Sequence, residues 1–572
     1  MKKATLWAWL LAAGVFLSLG AGENVPKKKF IGHSWDIMWM DASRLLHNID
    51  KLETLPLDGI IICPHFTDDN GNWRTVLHAV NDEAYKWEYF AKDIPAYKRI
   101  YSGKLKHNFI ASFWVPRKER LDWRDDAAWE KFAHNMAMIA RIAKLSGAEG
   151  IMMDTEDYHK TYQYAYLDSK DKGTFEEIAA IARKRGRQVM RAMAEEFPDC
   201  VYMSFWLWSL SDTFLKMDGD REEILKAGGQ LWIKFLDGML DELPEQSKMV
   251  DATENAYRHD FRNMDFYKSA YDIKERALLK VDPANRMKYR RQVQAGFGLY
   301  LDMYTNNPGA VWYFDGVNGD KLELLRKNFA QAMALTDEYC WLYGELYRWI
   351  DWDYQGLVIH KDHPKRPLKQ LTWEQKLPGT YLAISMIRDA EGTMNKWYKE
   401  NKAAGKLVNL VANSQAAANG KGSEIVNPGS LFNDRKLPSG WYLSCVNKSG
   451  NWKIDTKNRL NGCNSVYVSG TFGCNLVVKA DVTGGKYYLV ESFVKTNARP
   501  KALITWRKNG KDFAAKENTY FVYDDKVGNG FSRGRCVVQA PEGATELLLR
   551  MDGIFPYGKF ACFAMPGVFE FK

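Results

Sequence analysis

At 572 residues and 65.9 kDa the chain exceeds what one ordinary core fills, so roughly two to four domains are expected. A composition of 46% hydrophobic and 26% charged residues excludes a disordered or low-complexity polypeptide. The formal charge of +9 is mild: it suits an anionic glycan ligand, while no segment has the pattern of a nucleic-acid module.

The chain begins as a secretory signal does. Lys2 and Lys3 precede an apolar run from Leu6 to Leu19, and the small residues Gly20, Ala21 and Gly22 lead into Glu23. Residues 1–22 are therefore expected to be removed on export. No later stretch reaches the roughly 18 apolar residues of a membrane span. Of the eight Cys, residues 63, 200 and 340 lie in apolar segments and read as small buried hydrophobes. Cys445, Cys463, Cys474, Cys536 and Cys562 crowd the last quarter, where export permits disulfides but five leaves one over. No CxxC or His-rich spacing marks a zinc site, and no motif calls for a cofactor.

Apolar runs then alternate with amphipathic ones. Strands are expected near residues 33, 60, 110, 151, 202, 249, 297 and 341, with helices over Ser43–Leu55, Trp129–Leu145, Phe175–Phe197, Arg221–Leu240, Lys321–Leu335 and Tyr381–Glu400. The seventh strand is the weakest, since Tyr289 to Leu301 also reads as helix. Parallel strands need such crossovers, and eight βα units over residues 23–405 give an α/β class protein of the (β/α)8, or TIM-barrel, type. Residues 406–426, rich in Ala, Asn, Gly and Ser, read as a linker. From 427 to 572 the pattern becomes short β runs between turns, with seven to nine strands expected in an all-β sandwich.

Within that last part, Asn427-Pro428-Gly429-Ser430-Leu431-Phe432, Gly440-Trp441, Ala540-Pro541-Glu542-Gly543-Ala544 and Val568-Phe569-Glu570-Phe571 follow one another in an order that resembles jelly-roll carbohydrate-binding modules of secreted glycanases. The barrel is similar to the TIM-barrel glycoside hydrolases. Its fourth strand, Gly150-Ile151-Met152-Met153-Asp154, continues to Glu156, and an Asp-x-Glu ending resembles the chitinase-type families; two further Asp that those families carry upstream are here Met152 and Glu149. The resemblance implies hydrolysis of a carbohydrate by an exported enzyme.

The acids at strand ends support that expectation independently. Glycosidic cleavage needs one carboxylic acid to protonate the leaving oxygen and one carboxylate to attack or to activate water. Asp154 and Glu156 end strand four, Glu254 follows strand six, Asp302 strand seven and Glu345 strand eight. Each alone also reads as the cap of the helix after it. Glu156 is the expected general acid/base, because desolvation at the end of an apolar strand raises a carboxyl's pKa. Glu254 or Glu345 is its expected partner, with Asp154 in support.

A second mechanism stays open, in which an N-acetyl group of the substrate attacks and Tyr257 assists. Trp35, Trp114, Trp206, Trp208, Trp349 and Trp352 fall at or after strand ends, where indole faces stack on sugar rings, or else pack the rim. His33, Tyr257 and Asp302 complete the expected substrate contacts. A glycan-binding protein that keeps the barrel only as a scaffold is the alternative from another class.

Overall fold

The computed structural model describes residues 27–80, 83–116, 119–158, 162–169, 172–353, 371–416, 437–438, 440–445, 451–472 and 474–571. The expected signal segment, the Asn427–Phe432 motif and residues 417–426 of the expected linker lie outside them. The chain divides into two compact units, Met1–Arg388 and Asp389–Lys572.

The first unit is a closed barrel of eight parallel strands: β1 (Lys29–Ser34), β2 (Gly59–Ile62), β3 (Phe109–Phe113), β4 (Gly150–Asp154), β5 (Val201–Ser204), β6 (Lys248–Thr253), β7 (Val293–Tyr300) and β8 (Tyr339–Gly344). Each pairs with its sequence neighbours, and β1 closes on β8 with His33 opposite Tyr343. Strands covered on both faces read as unbroken apolar runs, which is why Ile60-Ile61-Ile62 and Ile151-Met152-Met153 are wholly buried. The ambiguous region before β7 divides cleanly: a helix covers Arg286–Gln292, and pairing to β6 begins at Val293.

Capping residues set the longest helices. Asp125 accepts from the Ala128 amide at the start of Asp126–Ser146, and Gly147 ends that helix at φ 80°. Thr174 and Glu177 form a reciprocal capping box on Phe175–Glu196. The single helix expected over Arg221–Leu240 is two, Arg221–Ala227 and Leu231–Glu242, because Gly229 takes φ 61° between them.

Two glycines let helix Leu231–Glu242 press against Phe175–Glu196. A Cβ on Gly186 would lie 2.0 Å from the Phe235 carbonyl oxygen, and one on Gly238 would lie 2.0 Å from that of Arg183. Gly186→Val is therefore expected to force the pair apart and cost about 1–3 kcal/mol. Denaturant titration measures it, and an unchanged midpoint would refute the close-approach account.

The helix Thr380–Ala403, expected to be the barrel's eighth, is interrupted at Asp389 (φ −159°, ψ 78°), where the compact units divide. Before the break Arg388 pairs with Asp58, 2.7 Å away. After it Trp397 packs on Phe571 and Tyr398 on Phe569 of the second unit.

That second unit holds two six-stranded sheets. Strands Trp441–Cys445, Cys474–Asp481, Glu546–Asp552 and Lys501–Lys508 follow one another in one sheet; Asn451–Leu460, Cys463–Thr471, Phe555–Glu570, Tyr487–Thr496 and Phe531–Gln539 do so in the other. Their inner faces share one core, with Trp441, Val478 and Leu549 from the first against Val466, Val490 and Phe563 from the second. This is an antiparallel β-sandwich. Its strands are mostly longer than the short runs read from sequence, because polar residues on the outer face interrupt the apolar pattern without ending the ladder.

Candidate active site

The eight C-terminal strand ends of a parallel barrel meet at one rim. Asp154 is the last residue of β4 and Glu156 stands two further on; Glu254 and Glu345 are the first residues past β6 and β8. All four line one cavity of about 800 Å³, together with His33, Trp35, Tyr257 and a ring of further aromatics.

The four acids are held differently. Asp154 is 8% exposed, and its Oδ1 accepts the Glu156 amide at 2.9 Å, which fixes the turn leaving β4. Glu156 Oε1 accepts a hydrogen bond from the Tyr158 hydroxyl. Asp157 turns away, its Oδ2 accepting the Gln163 amide. Glu345 Oε1 accepts from the Tyr343 hydroxyl at 3.0 Å, and that hydroxyl in turn accepts from Trp35 Nε1 at 2.5 Å.

Glu254 is the most perturbed of them. Its amide is tied to the Phe205 carbonyl at 2.9 Å, while Oε2 is buried and makes no hydrogen bond among the described residues. Burial first, then the charges of Glu156, Asp154 and Glu345, pushes its carboxyl well above the ordinary value of 4.5. That carboxyl shares the cavity with those of Asp154, Glu156 and Glu345 and, of the four, is the one pushed toward keeping its proton.

Asp302 does not reach the cavity. It is fully buried, its Oδ2 accepts the Glu345 amide at 2.8 Å, and burial raises its pKa to about 7. It sets the backbone of Glu345 instead of meeting substrate. His33 does line the cavity; it stacks on Tyr343 at 5.2 Å, and burial lowers its pKa to about 3, leaving a neutral imidazole.

Of the tryptophans expected at the rim, Trp35 lines the cavity, and Trp206 is partly buried with Nε1 donating to Asn255 Oδ1 at 3.1 Å. Trp114, Trp208, Trp349 and Trp352 are buried and correct the expectation of substrate stacking. Trp114 packs on Phe132 and Phe235, Trp208 on Tyr289 and Trp349 on Tyr381, while Trp352 Nε1 donates to buried Asp36. Past a strand end the chain can turn a side chain into the layer between strands and helices, and an indole gains most where it is wholly desolvated.

Sequence reading missed Trp39, Phe205, Tyr300, Tyr343 and Trp312, all of which line the cavity. Trp312 follows an Asn-Asn-Pro-Gly turn in the connection after β7, which is a usable signal. Its ring stands edge-on to Tyr257 and Tyr300, with the Arg258 guanidinium 4.2 Å above it. Among the described residues no group of three or more His, Cys, Asp or Glu is set to hold a metal ion, and no helix is long and apolar enough to cross a membrane.

No family model and no curated protein matches the chain. Among solved structures it is similar to the enzymatically active domain of bacteriophage CBA120 tailspike protein 4, at 20% identity over 23% of this chain and 20% of that one, with a TM-score of 0.20. It is similar also to the CBM22-1 and GH10 modules of the Clostridium thermocellum endo-1,4-beta-D-xylanase 10B, at 16% identity over 23% and 26%, TM-score 0.18. The arabinose-bound MgGH51 α-L-arabinofuranosidase matches at 14% identity over 29% and 27%, TM-score 0.19. The chain thus spans about a quarter of each of these proteins, and such TM-scores relate them over a local portion only.

Proposed function

We propose that the barrel is a glycoside hydrolase acting on an oligo- or polysaccharide by a two-carboxylate mechanism, exported if residues 1–22 act as a signal. The observation that carries this reading is one aromatic-lined cavity in which Glu254, held protonated by burial and by like charges, faces Asp154, Glu156 and Glu345. A pair of carboxyls whose environments drive their proton affinities apart is the arrangement glycosidic cleavage requires.

In this reading Glu254, not Glu156, protonates the leaving oxygen. Glu156, oriented by the Tyr158 hydroxyl and by Asp154, is the carboxylate that attacks the anomeric carbon or activates water. The aromatic walls stack the apolar faces of the sugar, and the neutral His33 imidazole lines the cavity beside them. The sandwich suits a role in holding glycan near the barrel.

A screen of the purified protein on plant, algal and host glycans, with Glu254→Gln and Glu156→Gln in parallel, tests the proposal. Binding without turnover across the panel would instead favour a glycan-binding scaffold.

The pH profile gives a second test. Glu254 must be protonated to act, and its raised pKa keeps it so through neutrality; kcat/KM is therefore expected to hold there and to fall as pH rises through that pKa. Glu345 is one of the charges that raise it. Glu345→Gln removes that charge, lowers the Glu254 pKa and should move the alkaline limb to lower pH; a limb that stays in place or moves up contradicts the coupling.

A further inference from the structure

Beside the catalytic cavity lies a second one, of about 430 Å³, that shares its wall. Glu254 lines the first cavity and the next residue, Asn255, lines the second. Asn255 is held in place by Trp206 Nε1, which donates to its Oδ1 at 3.1 Å. The rest of the second cavity comes from the segment Leu210–Lys216 after β5 and from His259, Asp265, Lys268, Ser269 and Asp272 after β6.

Its chemistry differs from that of a protein or lipid groove. The charged groups are internally balanced: Asp212 meets Lys216 at 2.6 Å, Asp265 meets Lys268 at 3.4 Å, and Asp272 meets Arg276 at 2.9 Å. Between them stand neutral groups that both donate and accept, namely the Asn255 amide, the hydroxyls of Ser211, Thr213 and Ser269, and His259, whose Nε2 lies 2.5 Å from Ser269 Oγ. Burial lowers the His259 pKa to about 4, so the imidazole is neutral at physiological pH. Three carboxylates disfavour phosphate or sulfate, and the charged, hydroxyl and amide groups set among Leu210 and Phe214 disfavour a purely hydrophobic chain. A dense mixture of paired donors and acceptors in a cavity within the usual ligand range of about 300–1,000 Å³ suits a hydroxyl-rich ring.

We infer that this second cavity is a distal sugar subsite, holding a further uncharged residue of the glycan whose scissile bond lies at Glu254. The inference rests on the hydrolase reading above and deepens it: the substrate is an oligosaccharide long enough to pass Asn255, not a single glycoside. Binding energy gained at the remote residue would position the scissile bond in the first cavity.

The test uses the full chain and a double variant, Asp212→Ala with Lys268→Ala, at two side chains that are 44% and 67% exposed and so dispensable to the fold. Thr213→Trp, at an exposed lining position, fills the cavity as an independent variant. The probes are neutral xylo-, gluco-, manno- and galacto-oligosaccharides of two to six residues, and 4-nitrophenyl monoglycosides of the same sugars.

Both variants are expected to lower kcat/KM about tenfold on the longer oligosaccharides, while the monoglycoside rate stays at the parent value. Equal kcat/KM for parent and variants at every length would overturn the subsite and leave the hydrolase reading standing. If no probe is hydrolysed, calorimetry decides. Length-dependent binding that the variants lose supports the subsite and removes the hydrolase reading; binding of no probe overturns both.

Discussion

Glu254→Gln is expected to lower kcat on the natural glycan by roughly 10²–10⁴-fold, the contribution of a positioned general acid. The amide matches the carboxylic acid in shape but has no acidic proton to give the leaving oxygen. The loss should shrink sharply on a 2,4-dinitrophenyl glycoside, whose leaving group departs with little help. Stability should hold or rise, because the parent buries this carboxyl, its Oε2 without a hydrogen bond among the described residues, close to other acidic groups. Full activity of the variant on the natural glycan would mean the proton comes from elsewhere.

Glu156→Ala is the second large effect, with kcat expected to fall on the order of 10³-fold or more, as when a nucleophile or its equivalent is removed. Here the leaving-group test should reverse: a dinitrophenyl glycoside is lost along with the natural glycan, since attack at the anomeric carbon is what fails. Azide or formate, entering the space the side chain left, should restore turnover of the activated glycoside. Rescue seen with Asp154→Ala and not with Glu156→Ala would transfer the role to Asp154. An unimpaired Glu156→Ala would favour attack by the substrate's own N-acetyl group.

The two substitutions also separate readings that the amino-acid sequence left together. Glu156 drew the acid role because its strand is so apolar, yet β4 ends at Asp154 and Glu156 stands beyond it under Tyr158. Glu254 has no such apolar lead: Lys248 and Asp251 interrupt its strand. What raises its pKa is burial in the closed barrel and the charges of Glu156, Asp154 and Glu345 from other strands, and these are not written beside it in the chain.

The tryptophans teach the same lesson. Six stood at strand ends in sequence, but Trp114, Trp208, Trp349 and Trp352 turned into the layer between strands and helices, while Trp312, from a long connection, came to the cavity. A side chain's direction past a strand end depends on how the loop is anchored. Asp251 illustrates this, since its carboxylate accepts the Leu207 and Ser209 amides and so fixes the loop that buries Trp208.

The sequence by itself determined the architecture: eight apolar runs with helical crossovers, then a shorter-period β pattern. Strands buried on both faces and helices buried on one leave periodicities that local reading can detect. It also determined that acids would stand at several ends of one parallel barrel, because strand direction alone sends all those ends to one rim.

Only the tertiary structure decided which acid keeps its proton, which rings face the cavity, that Asp302 stands behind Glu345, and that a second polar cavity adjoins the first at Asn255. Burial and electrostatic coupling are set by groups far apart in the chain, as Glu156 and Glu345 are from Glu254, and those distances exist only once the barrel is closed.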